Sequence, residues 1–307
     1  MNYQAIKLEL FYLRKAFFQY HQGFEYLKSK YFLAPKILKF GGVLEKPVNQ
    51  DDLSLHILSC HRDLVILIWS LFSFYQVSEF FGQLFIHNDG SLTNRDKAIL
   101  KKFFPGAIII EPAEALDCFD KKLADYPLIK KYRLEYPEFF LLKKLIDPYC
   151  VSQKPWRLII DSDLLWFKNP DFIGREILGQ NAPNSYMIKG EDFSRHPNYV
   201  YFKDGSKLED NLANFNSGAV FYAKENFALD KLQEYFAKID KDNKQNNHFI
   251  EQAGYAYCLK NLKPLTPDKY LISAKAGPDA VLRHYTSPKR PLFYLEGLKK
   301  IINKIKI

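Results

Sequence analysis

The sequence has 307 residues, is 47% hydrophobic and carries a formal net charge of +9 at neutral pH. A chain of this length and composition can bury a large core, which indicates a globular protein of one or two domains. The basic charge favours an anionic partner, or else a surface rich in solvated lysines; scattered lysines without a binding-module signature argue against nucleic acid.

A long helix is predicted near the start of the chain. Apolar residues recur there at alternating spacings of three and four, which places them on one stripe of a helix over residues 3–33. This stripe could pack on the core or form a coiled-coil seam of a homodimer. A connector with prolines and glycines follows, so we predict an N-terminal extension over residues 1–50. The stripe consists of Leu10, Leu13, Phe17, Tyr20, Phe24, Leu27 and Tyr31.

From residue 53, short apolar runs alternate with helical patterns. This alternation is typical of βαβ units that build a largely parallel sheet. Ligands of such sheets bind beyond the carboxyl ends of the strands. Predicted strands are 53–60, 83–89, 107–112 and 156–161, and predicted helices are 63–76, 92–104 and 137–149, the last ending at Pro148. Polar residues at the strand ends are Cys60, His61, Arg62, Asp89 and Asp161.

The second half of the chain mixes polar loops with further regular elements. We predict strands at 215–223 and 268–273 and helices at 227–239 and 247–260. The tail, residues 295–307, is predicted to form a basic amphipathic helix that either lies on anionic lipid or docks on the domain. The α/β domain itself is predicted to span residues 51–294. The apolar face of the tail comprises Leu298, Ile301, Ile302 and Ile305.

Two aspartates directly follow the predicted strand in the stretch WRLIIDSDLLWF. Asp161 and Asp163 could converge on one point at the sheet edge, where their charges repel unless a cation lies between them. Mg²⁺ or Mn²⁺ fits such a position, because both prefer oxygen ligands and keep coordination positions for substrate phosphates. The alternative is a capping aspartate beside a solvated one.

Two enzyme classes place an Asp-x-Asp motif at the end of a strand. Phosphatases of the haloacid dehalogenase type use the first aspartate as a nucleophile, and nucleotide-sugar glycosyltransferases use the pair to hold the metal that bridges the donor diphosphate. The phosphatase motif usually opens its fold, whereas three strand–helix units precede Asp161 here. The position favours the transferase and leaves a phosphohydrolase, with Asp161 as nucleophile and Asp163 as acid–base, as the alternative.

The stretch LRHYTSPKRP resembles the C-terminal H-x-x-G-x-x-K-P segment of glycosyltransferase family 8 and its GT-A relatives. His284 matches the histidine that completes the metal site in that family, and Ser287 replaces the glycine. Lys289 and Arg290 stand where the basic residue of the family contacts the donor phosphates. The metal ligands implied by the resemblance, for Mn²⁺ or Mg²⁺, are Asp161, Asp163 and His284.

Two further stretches resemble the same family. NFNSGAVFY resembles a strand in which Asn216 and Gly218 would let backbone and amide approach the donor sugar. HFIEQAGYAY resembles a helix whose acid–amide pair, here Glu251 and Gln252, lies near the reacting sugar and is assigned the catalytic role. The alternatives are an ordinary strand start and a solvated helix face. The donor-binding set becomes Cys60, Arg62, Ser162, Asn216, Gly218, Lys289 and Arg290.

The resemblance implies a GT-A fold, a Rossmann-like α/β fold with a mixed, mostly parallel sheet between helices, behind the N-terminal helical extension. It implies transfer of a sugar from a nucleoside-diphosphate donor, with UDP-sugar favoured, to a saccharide or lipid-linked saccharide hydroxyl, with retention of configuration. An inverting enzyme would need a carboxylate base, for which Glu191, Asp192 and Glu251 are candidates. The loop over residues 191–211 is assigned to the acceptor side. Its aromatic side chains could stack on the acceptor sugar or pack within the protein, and they are Phe193, Tyr199 and Tyr201.

Cysteine usage and hydropathy suggest where the protein resides. Four cysteines without a C-x-x-C pair indicate reduced thiols rather than disulfides or a zinc site. No signal-peptide pattern opens the sequence, and the longest nearly apolar run, residues 64–75, is shorter than the roughly 20 residues of a membrane span. We therefore expect a cytoplasmic protein, and we keep peripheral membrane association as a hypothesis. A non-catalytic sugar- or membrane-binding protein on a transferase scaffold is the remaining alternative.

Overall fold

The computed structural model describes residues 3–190, 199–272 and 274–304 of the chain. In chain order its strands are β1 (Leu53–Ser59), β2 (Gln83–Asn88), β3 (Ile108–Ile110), β4 (Trp156–Ile160), β5 (Leu164–Trp166), β6 (Ser185–Lys189), β7 (Phe215–Ala223), β8 (Leu262–Leu265), β9 (Tyr270–Leu271) and β10 (Leu282–His284). The α-helices are α1 (Tyr3–Arg14), α2 (Gly23–Lys28), α3 (Leu64–Val77), α4 (Asn94–Phe103), α5 (Pro112–Asp117), α6 (Phe119–Lys122), α7 (Pro127–Glu135), α8 (Leu142–Val151), α9 (Asp171–Ile177), α10 (Asp210–Ala213), α11 (Leu229–Lys238), α12 (Asn246–Cys258) and α13 (Leu298–Ile301). Short π-helical segments cover Lys15–Gln19, Ser29–Leu33 and Phe293–Gly297, and 3₁₀ segments cover Ala34–Lys39, His61–Asp63, Pro137–Phe139, Lys224–Asn226 and Ile302–Lys304.

The strands form a seven-stranded sheet of order β3-β2-β1-β4-β7-β6-β8 and a three-stranded sheet of order β5-β10-β9. In the large sheet β3, β2, β1 and β4 run parallel, β7 is antiparallel to both of its neighbours, and β6 and β8 are parallel. In the small sheet β10 is antiparallel to β5 and parallel to β9. The predicted mixed, mostly parallel sheet between helices is therefore confirmed.

Both faces of the large sheet are buried. Successive side chains of a strand point to opposite faces, so neighbouring residues of one strand enter different hydrophobic clusters. Leu158 and Ile160 of β4 belong to a cluster that includes α3 and the helical segments at both ends of the chain. Ile159, between them, belongs to a second cluster built with α7, α8, α11 and α12. The strand that leads to the aspartate pair is thus fixed between two hydrophobic layers.

Among the described residues, no helix combines the length and apolarity that crossing a bilayer requires.

The continuous helix predicted over residues 3–33 is wrong. A π-helical segment follows α1, and the chain then turns at His21, which has a positive φ of 52°. The helical direction resumes at Gly23, where an added Cβ would lie only 2.3 Å from the ring of Phe17. The turn therefore breaks the apolar period, and two short helices replace one long helix.

None of the seven residues of the predicted apolar stripe is buried. Leu10 is 60% exposed and Phe24 is 81% exposed, whereas the buried positions of this segment are Tyr12, Ala16 and Tyr26. These buried residues share the hydrophobic cluster of the sheet, so the extension packs on the α/β core through a different face. Of the stripe that the sequence singles out, Leu13 and Tyr20 still pack against the edge of this cluster, whereas Leu10, Phe24 and Tyr31 are exposed.

The helix predicted to stop at Pro148 instead runs from Leu142 to Val151, as α8. Proline cannot donate the backbone hydrogen bond that the carbonyl of Lys144 would otherwise accept. The hydroxyl of Tyr255 donates to that carbonyl at 2.6 Å, and Arg157 Nε donates to the Pro148 carbonyl at 3.1 Å. These side chains satisfy the carbonyls around the proline, which allows the helix to continue.

The C-terminal segment docks on the domain. The predicted helix over residues 295–307 is divided into a π-helical, an α-helical and a 3₁₀ segment, and residues 305–307 lie outside the described part of the chain. Leu298 and Ile301 are each 1% exposed and belong to the core. The face proposed for lipid contact is therefore largely packed against protein.

Elements that the sequence did not predict include β5, β6, β8, β10, α5, α6, α7, α9 and α10.

Two buried histidines on adjacent strands make the stability of the fold dependent on pH. His56 Nδ1 and His87 Nε2 are 2.9 Å apart, and both side chains are almost fully buried. Burial lowers the pKa of both rings, that of His87 to about 3. Below about pH 6.5 the unfolded chain takes up protons that the folded chain does not, so the free energy of unfolding should fall by about 2.7 kcal/mol per pH unit from this pair.

Urea denaturation between pH 7 and pH 4.5, compared among variants, measures this contribution. His87→Leu removes one of the two titrating rings and should halve the part of the slope that the pair supplies. His248→Gln replaces an exposed histidine and should leave the slope unchanged. Equal slopes for wild type and His87→Leu would contradict the assignment.

Candidate active site

The sheet topology brings the two aspartates and a distant histidine together. Asp161 follows the last residue of β4, and Asp163 directly precedes β5. Because β10 pairs with β5 in an antiparallel register that sets His284 opposite Leu164, the imidazole lies beside Asp163. His284 Nε2 is 3.0 Å from Asp163 Oδ1 and 3.4 Å from Asp161 Oδ2. Ligand atoms of Asp161, Asp163 and His284 all lie within 4.8 Å of one another.

The start of β7 fixes the orientation of the histidine ring. Asn216 Oδ1 lies 2.9 Å from His284 Nδ1 and also accepts the backbone N–H of Gly218 at 2.8 Å. An amide oxygen only accepts hydrogen bonds, so the proton of the neutral ring is on Nδ1. The lone pair of Nε2 is then directed at the oxygens of Asp161 and Asp163. This arrangement is the usual one for a histidine that ligates a metal through Nε2 and is oriented by a second residue.

Three electron-rich atoms that face each other repel unless positive charge lies among them. A divalent metal ion fits this donor set of two carboxylates and one imidazole, and a proton on Nε2 is the simpler alternative. Asp163 and His284 are almost fully buried, whereas the Asp161 side chain is 29% exposed. The cluster therefore opens to solvent on the Asp161 side, where a substrate could complete the coordination.

Gly218 leaves the space that the histidine ring occupies. A Cβ added at this position would lie 2.4 Å from His284 Nδ1 and 2.9 Å from Asn216 Oδ1. The Gly218 carbonyl also accepts the N–H of Asp161 at 2.9 Å. The pattern that suggested contact with a donor sugar thus places Asn216 and Gly218 against the histidine.

Arg290 holds Asp163 from the side opposite the histidine. Its two terminal nitrogens donate to Asp163 Oδ2 at 2.8 Å and to both carboxylate oxygens of Asp63 at 3.1 Å. Burial by itself would raise the pKa of Asp163, but Arg290 and His284 outweigh it and hold that pKa far below its usual range. Asp163 is therefore fully ionised at neutral pH, as a metal ligand must be.

A buried lysine that sequence analysis missed connects Asp161 to the predicted catalytic acid. Lys144 Nζ, on α8, lies 2.6 Å from Asp161 Oδ1 and 3.4 Å from Glu251 Oε1, and donates to the Ser217 carbonyl at 2.7 Å. The Ser217 hydroxyl donates to Glu251 Oε2 at 2.7 Å. Burial opposes the charge of Lys144, but Asp161 and Glu251 outweigh it and raise its pKa. Burial also raises the pKa of Glu251 to about 7.

The remaining predicted donor-binding residues lie around this cluster. Arg62, 55% exposed, donates to Asp63 at 3.2 Å and so extends the chain of ion pairs that begins at Asp163. Cys60 precedes that segment at the end of β1, and burial raises the pKa of its thiol to about 11. Ser162 is buried between the two aspartates, and Lys289 is partly exposed beside Arg290.

Other predicted residues lie on α12 or in the acceptor loop. Gln252 follows Glu251 on α12 and is only 8% exposed. His61 bonds Asp96 at 2.7 Å, a contact that belongs to the start of α4 rather than to the cluster. Tyr199 and Tyr201 contact each other edge to face with ring centroids 6.5 Å apart. Residues that lie outside the described part of the chain are Glu191, Asp192 and Phe193.

No protein-family model matches the sequence, and no curated protein matches it. Solved structures do resemble the fold. The bifunctional glycosyltransferase WbbM, without ligand, aligns with 86% of this chain at a TM-score of 0.54 and 13% identity. This chain spans about half of WbbM, covering 52% of its length.

A second solved structure is covered almost completely. The galactosyltransferase LgtC, in complex with donor and acceptor sugar analogs, aligns with 83% of this chain and 96% of its own length, at a TM-score of 0.50 and 11% identity. Identities this low establish an architecture and leave the substrate open. Together with the strand order and the helices on both sheet faces, these alignments show that the chain has the GT-A glycosyltransferase fold.

Proposed function

We propose that this protein transfers a sugar from a nucleoside-diphosphate donor to a hydroxyl acceptor with the help of a bound Mn²⁺ or Mg²⁺ ion. One observation carries the proposal: His284 Nε2 is directed at the carboxylates of Asp161 and Asp163. The GT-A fold supports the reaction class. The resemblance to family 8 supports a UDP-sugar donor, a saccharide or lipid-linked saccharide acceptor, and retention of configuration.

Asp161, Asp163 and His284 would hold the metal ion. When bound, the ion stabilises the negative charge that develops on the departing diphosphate. The protein's own contribution is to fix the ligands in advance: Arg290 holds Asp163, and Asn216 holds His284. Such preorganisation lowers the cost of forming the charged transition state.

Basic residues at the rim are proposed to contact the donor phosphates. Arg62 is 55% exposed, whereas Arg290 is 17% exposed and its terminal nitrogens already bind Asp63 and Asp163. We therefore assign Arg290 to holding Asp163 and propose that Arg62 and Lys289 meet the diphosphate. Guanidinium and ammonium groups both bind phosphate oxygens strongly.

Glu251 and Gln252 are proposed to act near the transferred sugar. Glu251 is 3% exposed and is bonded to Ser217, which supports a structural role in the cluster over that of a base on the acceptor. A base must reach the hydroxyl proton that it removes. Gln252 offers a polar side chain without a competing charge, which suits a retaining reaction that needs no strong base.

Calorimetry with UDP, in the presence and absence of Mn²⁺, tests this proposal. We expect UDP to bind only with Mn²⁺, because an ion held by Asp161, Asp163 and His284 would supply the positive charge that the diphosphate needs. Asp163→Ala should abolish that binding, since it removes one of three ligands. A screen of nucleotide sugars that measures the released nucleoside diphosphate then identifies the donor.

The rival functions give different results in the same experiments. Turnover of a generic phosphate ester without nucleotide binding would establish a phosphohydrolase and refute the transferase. Metal-dependent nucleotide binding without hydrolysis or transfer of any donor in the screen would establish a non-catalytic binding protein. Asp163→Ala with wild-type UDP affinity would refute the metal site.

A further inference from the structure

The N-terminal extension carries an exposed aromatic surface. The described residues include 14 exposed large hydrophobic side chains, and seven of them lie between residues 6 and 32. Phe18, Phe24 and Phe32 are 76%, 81% and 70% exposed. Single exposed apolar residues are ordinary, but a concentration on one segment indicates a binding surface. We call this surface the aromatic face: Leu10, Phe11, Phe18, Phe24, Tyr31 and Phe32.

The aromatic face is one surface that spans two neighbouring segments. Spacings of seven and eight join its residues within each segment, which places them on the same side of a helix. The two segments adjoin, because the Tyr31 hydroxyl donates to Glu9 at 2.8 Å and the rings of Phe17 and Phe24 meet edge to face at 5.5 Å. A shallow cavity of about 310 Å³ opens on this face between Phe11 and Phe18, and Arg14, Lys15 and Gln19 complete its lining.

The segment that carries the aromatic face is rich in basic residues. Residues 3–39 contain seven basic and two acidic side chains, and so carry a charge of +5 out of the +9 of the whole chain. The two acidic residues are each paired with a lysine, Glu9 with Lys30 and Glu25 with Lys299. The net field at this surface is therefore positive, and it attracts an anionic partner.

We infer that the aromatic face binds the surface of an anionic lipid membrane. Exposed phenylalanines on a helical segment can insert among lipid head groups, while lysines and arginines of the same segment contact lipid phosphates. A second copy of the chain fits less well, because a twofold contact through this face would bring two patches of +5 together. In the described part of the C-terminal segment, Leu298 and Ile301 are buried in the core and so are not available for lipid contact.

The extension that carries the aromatic face packs, through its buried side, on the segment that follows the candidate active site. Tyr26, in the same segment, packs edge to face on Tyr294 with ring centroids 5.6 Å apart, and Tyr294 follows Arg290 by four residues. A membrane bound at the exposed side of the extension would therefore be separated from the segment that supplies Arg290 by the extension itself. Membrane binding itself does not depend on the proposed transfer reaction.

Co-sedimentation with lipid vesicles tests the inference without donor or metal. The wild-type protein should bind vesicles with about one-third phosphatidylglycerol and not vesicles of pure phosphatidylcholine. The affinity of the triple variant F18S/F24S/F32S for these vesicles should fall by about tenfold at least, because the variant loses three inserting rings. F140S and L178S remove side chains that are 57% and 70% exposed elsewhere, and they should bind like the wild type.

A fluorescence measurement separates insertion from simple electrostatic contact. Trp69 and Trp166 are fully buried and Trp156 is half-buried, so F24W adds the exposed tryptophan that reports on lipid. Its emission should shift to the blue with the anionic vesicles only. Wild-type binding by the triple variant, or no binding of anionic vesicles by the wild type, would overturn the inference. A dimer that the same triple substitution dissociates, without any vesicle binding, would assign the face to a second copy instead.

Discussion

Replacing Lys144 by methionine is expected to destabilise the protein by about 3 kcal/mol and to reduce sugar transfer by about 10- to 100-fold. The ammonium group is 3% exposed and lies 2.6 Å from Asp161 and 3.4 Å from Glu251. Its loss leaves two carboxylates facing each other without the ammonium group between them, and Asp161 would then leave the position in which we propose that it binds a metal ion. Urea denaturation measures the first effect, and release of nucleoside diphosphate from the donor measures the second.

The neighbouring lysine provides a matched control. Lys143 lies on the same helix but donates to a backbone carbonyl at 2.7 Å, so Lys143→Met removes a charge and leaves no carboxylate unpaired. Lys144→Met should be clearly less stable than Lys143→Met, and equal stabilities would refute the buried ion pair. Adding Glu251→Gln to Lys144→Met should restore part of the stability, because it removes one of the unpaired charges.

The pH dependence of the Lys144→Met effect has a definite sign. Burial already raises the pKa of Glu251 to about 7, and loss of Lys144 removes an interaction that lowers it. The folded variant therefore holds a proton that the unfolded chain releases near pH 4.5, and its stability decreases as the pH rises. The difference from wild type should be larger at pH 8 than at pH 5.

The strand–helix alternation was readable from the sequence because each element has a clear period. The strands that carry the core, such as β4 and β7, are long apolar runs bounded by polar residues. The missed strands β5 and β10 have three residues each, which is too short for a period to appear. Yet the pairing of these two short strands sets His284 beside Asp163. Sequence resemblance proposed this contact, and only the topology explains it.

The N-terminal stripe shows how a correct period can predict the wrong environment. Spacings of three and four marked seven apolar residues, and the structure leaves all of them at least partly exposed. Periodicity indicates that side chains share a face, but it does not identify what covers that face. The residues of this segment that reach the core are instead Tyr12, Ala16 and Tyr26, on either side of the turn at His21.

Lys144 and Asp63 were missed because each looks ordinary in its local sequence. Lys144 follows another lysine in a helical stretch, where a charged pair usually faces solvent. A signal existed: Leu145 and Pro148 continue the buried face of the helix on which Lys144 lies, and a lysine there needs a buried carboxylate as a partner. Finding that partner required the fold, because Glu251 is more than a hundred residues away along the chain.

Replacing Gly218 by alanine is expected to weaken Mn²⁺ binding by about 10- to 100-fold, although glycine itself offers no ligand. The new Cβ would lie 2.4 Å from His284 Nδ1 and 2.9 Å from Asn216 Oδ1, which is closer than van der Waals contact allows. The ring must move away, which breaks its bond to Asn216 and redirects Nε2 from the two aspartates. Calorimetric titration of Mn²⁺, with and without UDP, measures the loss.

A control glycine and a double variant show whether Gly218 acts through the histidine. Gly277→Ala adds a Cβ with no atom within 4 Å and should bind Mn²⁺ like the wild type. In a His284→Ala background the ring is absent, so adding Gly218→Ala should cause no further loss of metal affinity. Additive losses in the double variant would mean that the glycine serves another part of the site, such as the approach of the donor sugar. Non-additive losses would tie the Asn-x-Gly pattern of β7 to the third ligand of the Asp-x-Asp metal site.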